Sequence, residues 1–137
     1  MNLAFQRKTD LAVRAMQSFS GNGDRISGSD LADRIGTTKA FLAQVLAPLI
    51  EEGWISSDRG PGGGYSLTPV AAEASLFDVM EATQGPIVDG RCVLRDQPCP
   101  GNEACEAHNV WSDARDFLID GFKEISATTG KGEGEGK

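Results

Sequence analysis

Residues 54–68 read W-I-S-S-D-R-G-P-G-G-G-Y-S-L-T, and this stretch decides the fold of the 137-residue chain. Its two ends have the composition of short strands, and the glycines between them suit a tight turn. The stretch therefore predicts a β-hairpin. The turn of this hairpin, residues 58–64, carries hardly any side chain except that of Arg59.

Two helices are predicted directly before the hairpin. Ser27 opens S-G-S-D-L-A-D-R-I-G as a capping residue, and Gly36 ends this short helix. Thr37 or Thr38 then opens K-A-F-L-A-Q-V-L-A-P-L-I-E-E, a longer helix closed by Gly53. A short helix, a turn and a longer helix have the spacing of a helix-turn-helix. Because the hairpin follows at once, the pattern predicts a winged helix-turn-helix.

The turn of the hairpin indicates a contact with DNA. A single arginine on a bare, narrow turn suits the minor groove, whose negative potential attracts it. Two other interpretations are open. One is a flexible turn with a solvated arginine. The other is a glycine-rich phosphate loop, but such a loop opens a helix and ends in Lys-Ser/Thr, whereas Tyr65 and a strand follow here.

The net charge of -7 is unevenly distributed along the chain. Residues 1–70 hold seven basic and seven acidic residues, whereas residues 71–137 hold six basic and thirteen acidic residues. The acidic total weighs against nucleic-acid binding, but the neutral half can still present a local basic face. The sequence has neither a membrane-length apolar run nor the apolar core of a signal peptide, so we expect a cytoplasmic protein without a membrane partner.

Three further helices are predicted outside the helix-turn-helix. The first lies within residues 5–20, with Asp10 near its start, where the helix dipole favours an acid. Another opens at Ser75 and runs to about Thr83. The last, at 107–126, has an apolar stripe that would be a large exposed patch on a monomer, so we expect it to pack on a twin helix. The stripe consists of Val110, Trp111, Ala114, Phe117, Leu118, Gly121, Phe122 and Ile125.

All three cysteines and the only histidine lie close together in the sequence. Six residues separate Cys92 from Cys99, five separate Cys99 from Cys105, and two separate Cys105 from His108. The surrounding residues are too rich in Pro, Gly, Asp and Asn to bury cysteines as apolar side chains. A metal or cluster site is therefore the better interpretation, and three cysteines with one histidine are also an ordinary zinc set.

The order of the elements, the wing R-G-P-G-G-G-Y, the following S-L-F-D-V and the three cysteines before a long helix resemble the Rrf-two family. This family of bacterial winged-helix regulators includes IscR-like and NsrR-like iron–sulfur proteins. The resemblance covers about residues 3–126. It implies a homodimer that pairs through the long helix and binds double-stranded operator DNA. It also implies a [4Fe-4S] or [2Fe-2S] cluster whose damage, by nitric oxide or oxygen for example, changes DNA affinity.

The resemblance also implies a set of cluster ligands. Cys92, Cys99 and Cys105 would each give a thiolate, which leaves one position for another ligand. His108 stands in C-x-x-H-x-x-W, where IscR-like proteins place a histidine ligand. Asp10 stands in T-D-L-A, where NsrR-like proteins place an aspartate that reaches the cluster from the opposite subunit. Both candidates stay open, and so does the cluster type, because the first cysteine spacing is longer than the five residues common in the family.

DNA contacts can be assigned in the same way. The family's recognition helix maps onto residues 38–44, whose polar side chains can reach phosphates or base edges, and glutamine pairs well with adenine. Ala43 replaces an acidic residue of IscR-like proteins, so we expect a different target sequence. The implied DNA-binding residues are Thr38, Lys39, Gln44, Arg59, Gly60 and Pro61.

Together these observations predict a mainly α fold with a small β-hairpin wing and a long C-terminal dimerisation helix. The predicted divisions are a DNA-binding domain at 1–84, a cluster-binding loop at 85–106, a dimerisation helix at 107–126 and a low-complexity, disordered tail at 127–137. The predicted function is an iron–sulfur transcriptional repressor that senses nitric oxide, redox state or iron and cluster status. The alternatives are a winged-helix protein with a structural zinc site and a protein-interaction module. No nucleophile with a base and an orienting partner is apparent, so we do not expect an enzyme.

Overall fold

The computed structural model describes residues 5–21, 24–87 and 106–128, and it confirms the predicted winged helix-turn-helix. Within these residues the fold is mainly helical, with five α-helices and a three-stranded antiparallel sheet. The helices are α1 (Arg7–Met16), α2 (Gly28–Ile35), α3 (Lys39–Glu51), α4 (Leu76–Gln84) and α5 (His108–Lys123). The strands are β1 (Arg25–Ile26), β2 (Ile55–Asp58) and β3 (Gly64–Leu67), and a 3₁₀ turn at Pro69–Glu73 joins β3 to α4.

Both helices of the helix-turn-helix begin at a hydroxyl cap. The Ser27 hydroxyl oxygen accepts the backbone N–H of Asp30 at 3.2 Å, and that of Thr38 accepts the N–H of Phe41 at 3.1 Å. Such caps satisfy backbone donors that would otherwise lack partners at a helix start. Gly36 ends α2 with φ 77°, a left-handed conformation that favours glycine. These local bonds explain why the sequence pattern located the two helices correctly.

The sheet has one more strand than the predicted hairpin. β2 and β3 form the hairpin, with Ile55 opposite Leu67 and Asp58 opposite Gly64. β1 adds to the other edge of β3 and places Arg25 opposite Ser66, so the strand order is β1-β3-β2. β1 has only two residues, too few for an apolar–polar alternation to indicate a strand.

The main core lies between the first four helices and the sheet. From α3 it takes four buried side chains, those of Leu42, Val45, Leu46 and Leu49. Each such burial contributes about 2 kcal/mol. Ile50 of the same helix is exposed, and α1 ends at Met16 while the chain continues irregularly to a buried Phe19.

Helix α5 packs on α4 through a second, smaller apolar cluster, which we call the α4–α5 seam. The seam consists of Met80, Ile87 and Ile119, all buried. Two backbone hydrogen bonds of 2.9 Å extend the contact, from the N–H of Leu76 to the carbonyl of Ile125 and from the N–H of Ala127 to that of Ala74. The end of α5 therefore lies beside the start of α4, and the two helices run antiparallel.

The apolar stripe predicted for α5 omits the residue that attaches this helix. Ile119 is 7% exposed and belongs to the seam, whereas Val110 and Phe117, both in the predicted stripe, are 76% and 80% exposed. At 100° per residue, Ile119 lies on the opposite side of the helix from Val110. The helix is also shorter than the predicted 107–126, because the chain leaves α5 after Lys123 to form its bridge between Ser126 and Ser75.

Several predictions fall outside the described residues. Cys92, Cys99 and Cys105 are among them, as is the chain beyond Thr128. The division into a DNA-binding domain, a cluster-binding loop, a dimerisation helix and a tail therefore stays a prediction. In the part of the chain that is described, no helix is long and apolar enough to span a membrane.

Candidate functional site

The N-terminal half of α3 has an exposed face that carries both small and polar side chains. Lys39, Ala40, Ala43 and Gln44 are all exposed on it. The two alanines leave room for another molecule to approach the helix closely, while Lys39 and Gln44 supply hydrogen-bond donors and, for Gln44, an acceptor. Such a face can lie in a major groove, with Gln44 reading base edges and Lys39 contacting phosphate.

Thr38 already has a structural role at the start of α3. Its hydroxyl oxygen accepts the N–H of Phe41. A hydroxyl has one proton to donate in addition to its acceptor sites, so Thr38 can cap the helix and still donate to a phosphate oxygen. This residue is consequently suited to a backbone contact rather than to base recognition.

The turn of the wing depends on glycine at three positions. Gly60 and Gly62 have φ 86° and 78°, which side-chain-bearing residues rarely adopt. A Cβ on Gly63 would overlap the carbonyl oxygens of Asp58 and Gly60. Because the turn is built from these residues, it is narrow, and Arg59 stands exposed on it.

A cleft of about 460 Å³ lies between α2, the start of α3 and the wing. Ser29, Lys39, Arg59 and Tyr65 are among the residues that line it. No carboxylate is paired with Lys39 or Arg59 within residues 5–21, 24–87 and 106–128. Two unneutralised cations beside hydroxyl donors form the local basic face that an overall acidic chain needs in order to bind a phosphate backbone.

The predicted DNA-binding residues are thus partly brought together. Lys39, Arg59 and Gly60 line the same cleft. Pro61 lies exposed at the turn, and Gln44 lies about 7 Å farther along α3 from Lys39, at 1.5 Å per residue. This spread suits a long ligand such as a DNA duplex better than a small molecule.

Sequence reasoning missed Arg25, which contacts the wing from β1. One guanidinium nitrogen of Arg25 lies 2.7 Å from a carboxylate oxygen of Asp58, and another donates to the carbonyl of Gly62 at 2.9 Å. The two opposite charges are visible in the sequence. Their pairing follows only from the register of β1 with β3, and β1 is too short to be predicted.

The two candidates for the fourth cluster ligand lie on different helices. Asp10 is 48% exposed on α1 and pairs with Arg14 at 3.2 Å, one helical turn later. His108 is the first residue of α5. The rings of Phe5 and Phe122 are 5.5 Å apart, so the start of α1 meets the end of α5, about 21 Å along the α5 axis from His108. No group of three metal-binding side chains occurs among the described residues, which exclude the cysteines.

A helix-turn-helix with a glycine-built wing and a basic cleft between them defines a winged-helix DNA-binding protein. Residues 5–128 match the model of the Rrf2 (Rrf-two) family, described as "Iron-dependent Transcriptional regulator", and the chain belongs to this family. The family is one of transcriptional regulators, not of enzymes.

Individual relatives agree with this family. The regulator IscR of Pectobacterium atrosepticum is 33% identical over 98 residues, which cover 72% of this chain and 59% of the relative. IscR of Escherichia coli O1:K1 / APEC is 32% identical over 117 residues, which cover 84% of this chain and 72% of the relative. This chain thus spans about three-fifths of the length of the first of these relatives.

Solved structures share the fold. Staphylococcus aureus CymR matches with a TM-score of 0.68 at 23% identity, covering 90% of this chain and 94% of that protein. IscR of T. potens matches with a TM-score of 0.68 at 22% identity, covering 94% and 86%. The arrangement of helices and wing described above is therefore the arrangement found in other regulators.

Replacing Gly63 with alanine tests the wing. The Cβ would overlap backbone oxygens, so the turn must change shape, and we expect affinity for DNA to fall about tenfold, or roughly 1.4 kcal/mol. The measurement is fluorescence anisotropy with a duplex that the wild-type protein selects from a random-sequence pool. Gly21→Ala is the matched control, because a Cβ there meets open space. Equal affinity of both variants and the wild type would contradict a role of the wing.

Proposed function

We propose that this regulator is a homodimeric repressor that carries an iron–sulfur cluster on Cys92, Cys99 and Cys105 and senses nitric oxide, redox state or cluster status through it. The proposal rests on the positions of the two residues that flank residues 88–105 in the chain. This segment joins Ile87, in the α4–α5 seam, to Glu106, at the start of α5. The three cysteines therefore lie between a residue of the α4–α5 seam and the first turn of α5.

The first of these attachments is firm. Ile87 packs with Met80 and Ile119, and its N–H donates to a carboxylate oxygen of Glu81 at 3.2 Å. The second attachment is covalent, since Glu106 leads directly into α5. Drawing three thiolates to one centre constrains the chain between these points, and so it biases how α5 sits on α4.

The exposed face of α5 supports pairing with a second copy. Val110, Ala114 and Phe117 lie on the side of the helix opposite Ile119, so they stay uncovered when α5 packs on α4. An apolar face of this size is unusual on a monomer and suits an isologous dimer contact. The uncovered side chains are those of Val110, Ala114, Phe117 and Leu118.

The donor set fits an iron–sulfur cluster. Thiolates are the usual ligands of such clusters, and three of them leave one position for an oxygen or nitrogen donor. The Asp10 carboxylate is about half exposed, and among the described residues it pairs with Arg14 alone, a surface interaction worth at most about 1 kcal/mol. Asp10 can therefore be released to a ligand role at small cost. The resemblance to NsrR-like proteins favours Asp10 of the partner subunit for this role.

A bound cluster would supply iron that reacts with nitric oxide or oxygen, and the chain's residues would convert its presence into DNA affinity. In a dimer joined through α5, a shift of α5 on α4 alters the separation of the two α3 helices. Those helices must match successive major grooves, so their separation affects binding. Lys39 and Thr38 would fix the position on the phosphates, Gln44 would read bases, and Arg59 would enter the minor groove.

The family and its named members favour iron over other metals. The family is described as iron-dependent, and relatives at 32–34% identity are named IscR. A structural zinc site would use the same three cysteines with His108, and a protein-interaction module would need no metal. The first alternative predicts bound zinc, and the second predicts no bound metal.

Native mass spectrometry of protein purified without oxygen tests the cluster and its fourth ligand. We expect the added mass of a [4Fe-4S] or [2Fe-2S] cluster for each subunit. Asp10→Ala should speed cluster loss at least about tenfold, whereas Arg14→Ala, which breaks the same surface ion pair, should retain the cluster. Rapid loss in His108→Ala, with Asp10→Ala unaffected, would assign the ligand to His108 instead. Bound zinc, or no metal after reconstitution, would contradict the proposal.

Sedimentation of α5 variants tests the dimer. Phe117→Asp places a carboxylate in the centre of the exposed apolar face, and we expect the dimer dissociation constant to rise at least about 100-fold because a buried, unpaired charge costs several kcal/mol. Asn109→Asp adds the same charge on an exposed side of α5 away from that face and should leave the dimer intact. A Phe117→Asp variant that sediments like the wild type would exclude this face as the dimer contact.

A further inference from the structure

Arg25 makes two contacts with the wing, and neither the helix-turn-helix nor the core requires them. Its guanidinium binds the carboxylate of Asp58 and the carbonyl oxygen of Gly62. These two residues stand on either side of Arg59 in the turn. Arg25 itself lies on β1, which leads into α2. The Arg25 side chain thus connects the strand before the helix-turn-helix to the residues on both sides of Arg59, the only exposed cation of the wing.

We propose that Arg25 is a positioning residue for DNA binding, which holds the wing in the conformation that presents Arg59 to the DNA. This inference rests on the proposed contact of Arg59 with DNA. It goes beyond that contact because it assigns a function to a residue on a different strand and explains how a turn made of glycines keeps one shape.

The backbone of the turn gives the first reason. Glycine loses more conformational freedom on ordering than any other residue, and Gly60 and Gly62 both adopt left-handed conformations. A free turn of this composition would have to be ordered when DNA binds, and that ordering would weaken binding. The two bonds of Arg25 order the turn in advance, so Arg59 can bind without this loss.

Charge gives the second reason. Asp58 is adjacent to Arg59 and lines the same cleft, so its carboxylate would repel an approaching phosphate. Arg25 lies 2.7 Å from this carboxylate and neutralises it. Without Arg25, the wing would present one cation and one unpaired anion side by side, and its attraction for DNA would fall.

A double-mutant cycle on Arg25 and Arg59 tests the proposal, with the full-length protein and the duplex selected from a random-sequence pool. If Arg25 acts by positioning Arg59, Arg25→Ala should weaken binding about fivefold in the wild-type background and hardly at all in the Arg59→Ala background. Arg34→Ala is the matched control. It removes an equal charge and a hydrogen bond to the carbonyl of Ser18, away from the wing, and should leave affinity within about twofold.

The other outcomes separate this inference from the proposed function. Equal losses from Arg25→Ala in both backgrounds would overturn the positioning role, while leaving the Arg59 contact in place, and would indicate that Arg25 acts independently of Arg59, by neutralising Asp58 or by contacting DNA itself. An Arg59→Ala variant that binds like the wild type would remove the wing contact and the inference with it.

Arg25→Lys provides a second test that keeps the charge at this position. A lysine ammonium is a point donor and does not reproduce the paired bonds of a guanidinium, so we expect affinity below that of the wild type. Wild-type affinity in this variant, with the same melting temperature, would show that charge alone suffices and would overturn the positioning role.

Discussion

The packing of Ile119 against Met80 and Ile87 is the contact on which the proposed arrangement depends. It attaches α5 to the winged helix by its buried side. The apolar side of α5 is thereby left exposed, and Ile87 is fixed where residues 88–105 begin. One small cluster thus connects the DNA-binding elements, the proposed dimer helix and the cysteines. In the proposed mechanism, a change at any of these three would be transmitted to the others through the contact between α4 and α5.

The wing is shaped differently from the helices, because most residues of its turn are glycines and have no side chain. A turn of glycines is narrow, which suits a minor groove. Few side chains pack against it, however, to hold its conformation. Instead of packing, Arg25 on the short strand β1 holds the turn through its contacts with Asp58 and Gly62. The same arrangement explains how an acidic chain presents a cationic tip: the carboxylate nearest Arg59 is already neutralised, and the excess of acidic residues lies in the second half of the sequence.

Sequence reasoning predicted what local bonds determine. The caps Ser27, Thr38 and Ser75 and the stop at Gly36 are short-range features, and all are observed. Sequence reasoning failed where tertiary contacts determine the structure. β1 forms only because β3 offers an edge to pair with, and Ile119 faces the interior because α4 covers it. At the candidate site, the sequence pattern predicts Lys39, Gln44 and Arg59 as DNA contacts, and all three are exposed, whereas Arg25 could not be predicted before the strand register was known.

The most direct test of the whole account is the DNA affinity of cluster-loaded and cluster-free protein, measured without oxygen on one duplex at one salt concentration. Coupling free energies between two sites are typically about 1–3 kcal/mol, so we expect affinities that differ at least about fivefold. The difference should disappear when Cys92, Cys99 and Cys105 are all replaced by alanine. Equal affinities of the loaded and cluster-free wild-type protein would contradict the account, leaving a winged-helix regulator whose cysteines do not control its binding to DNA.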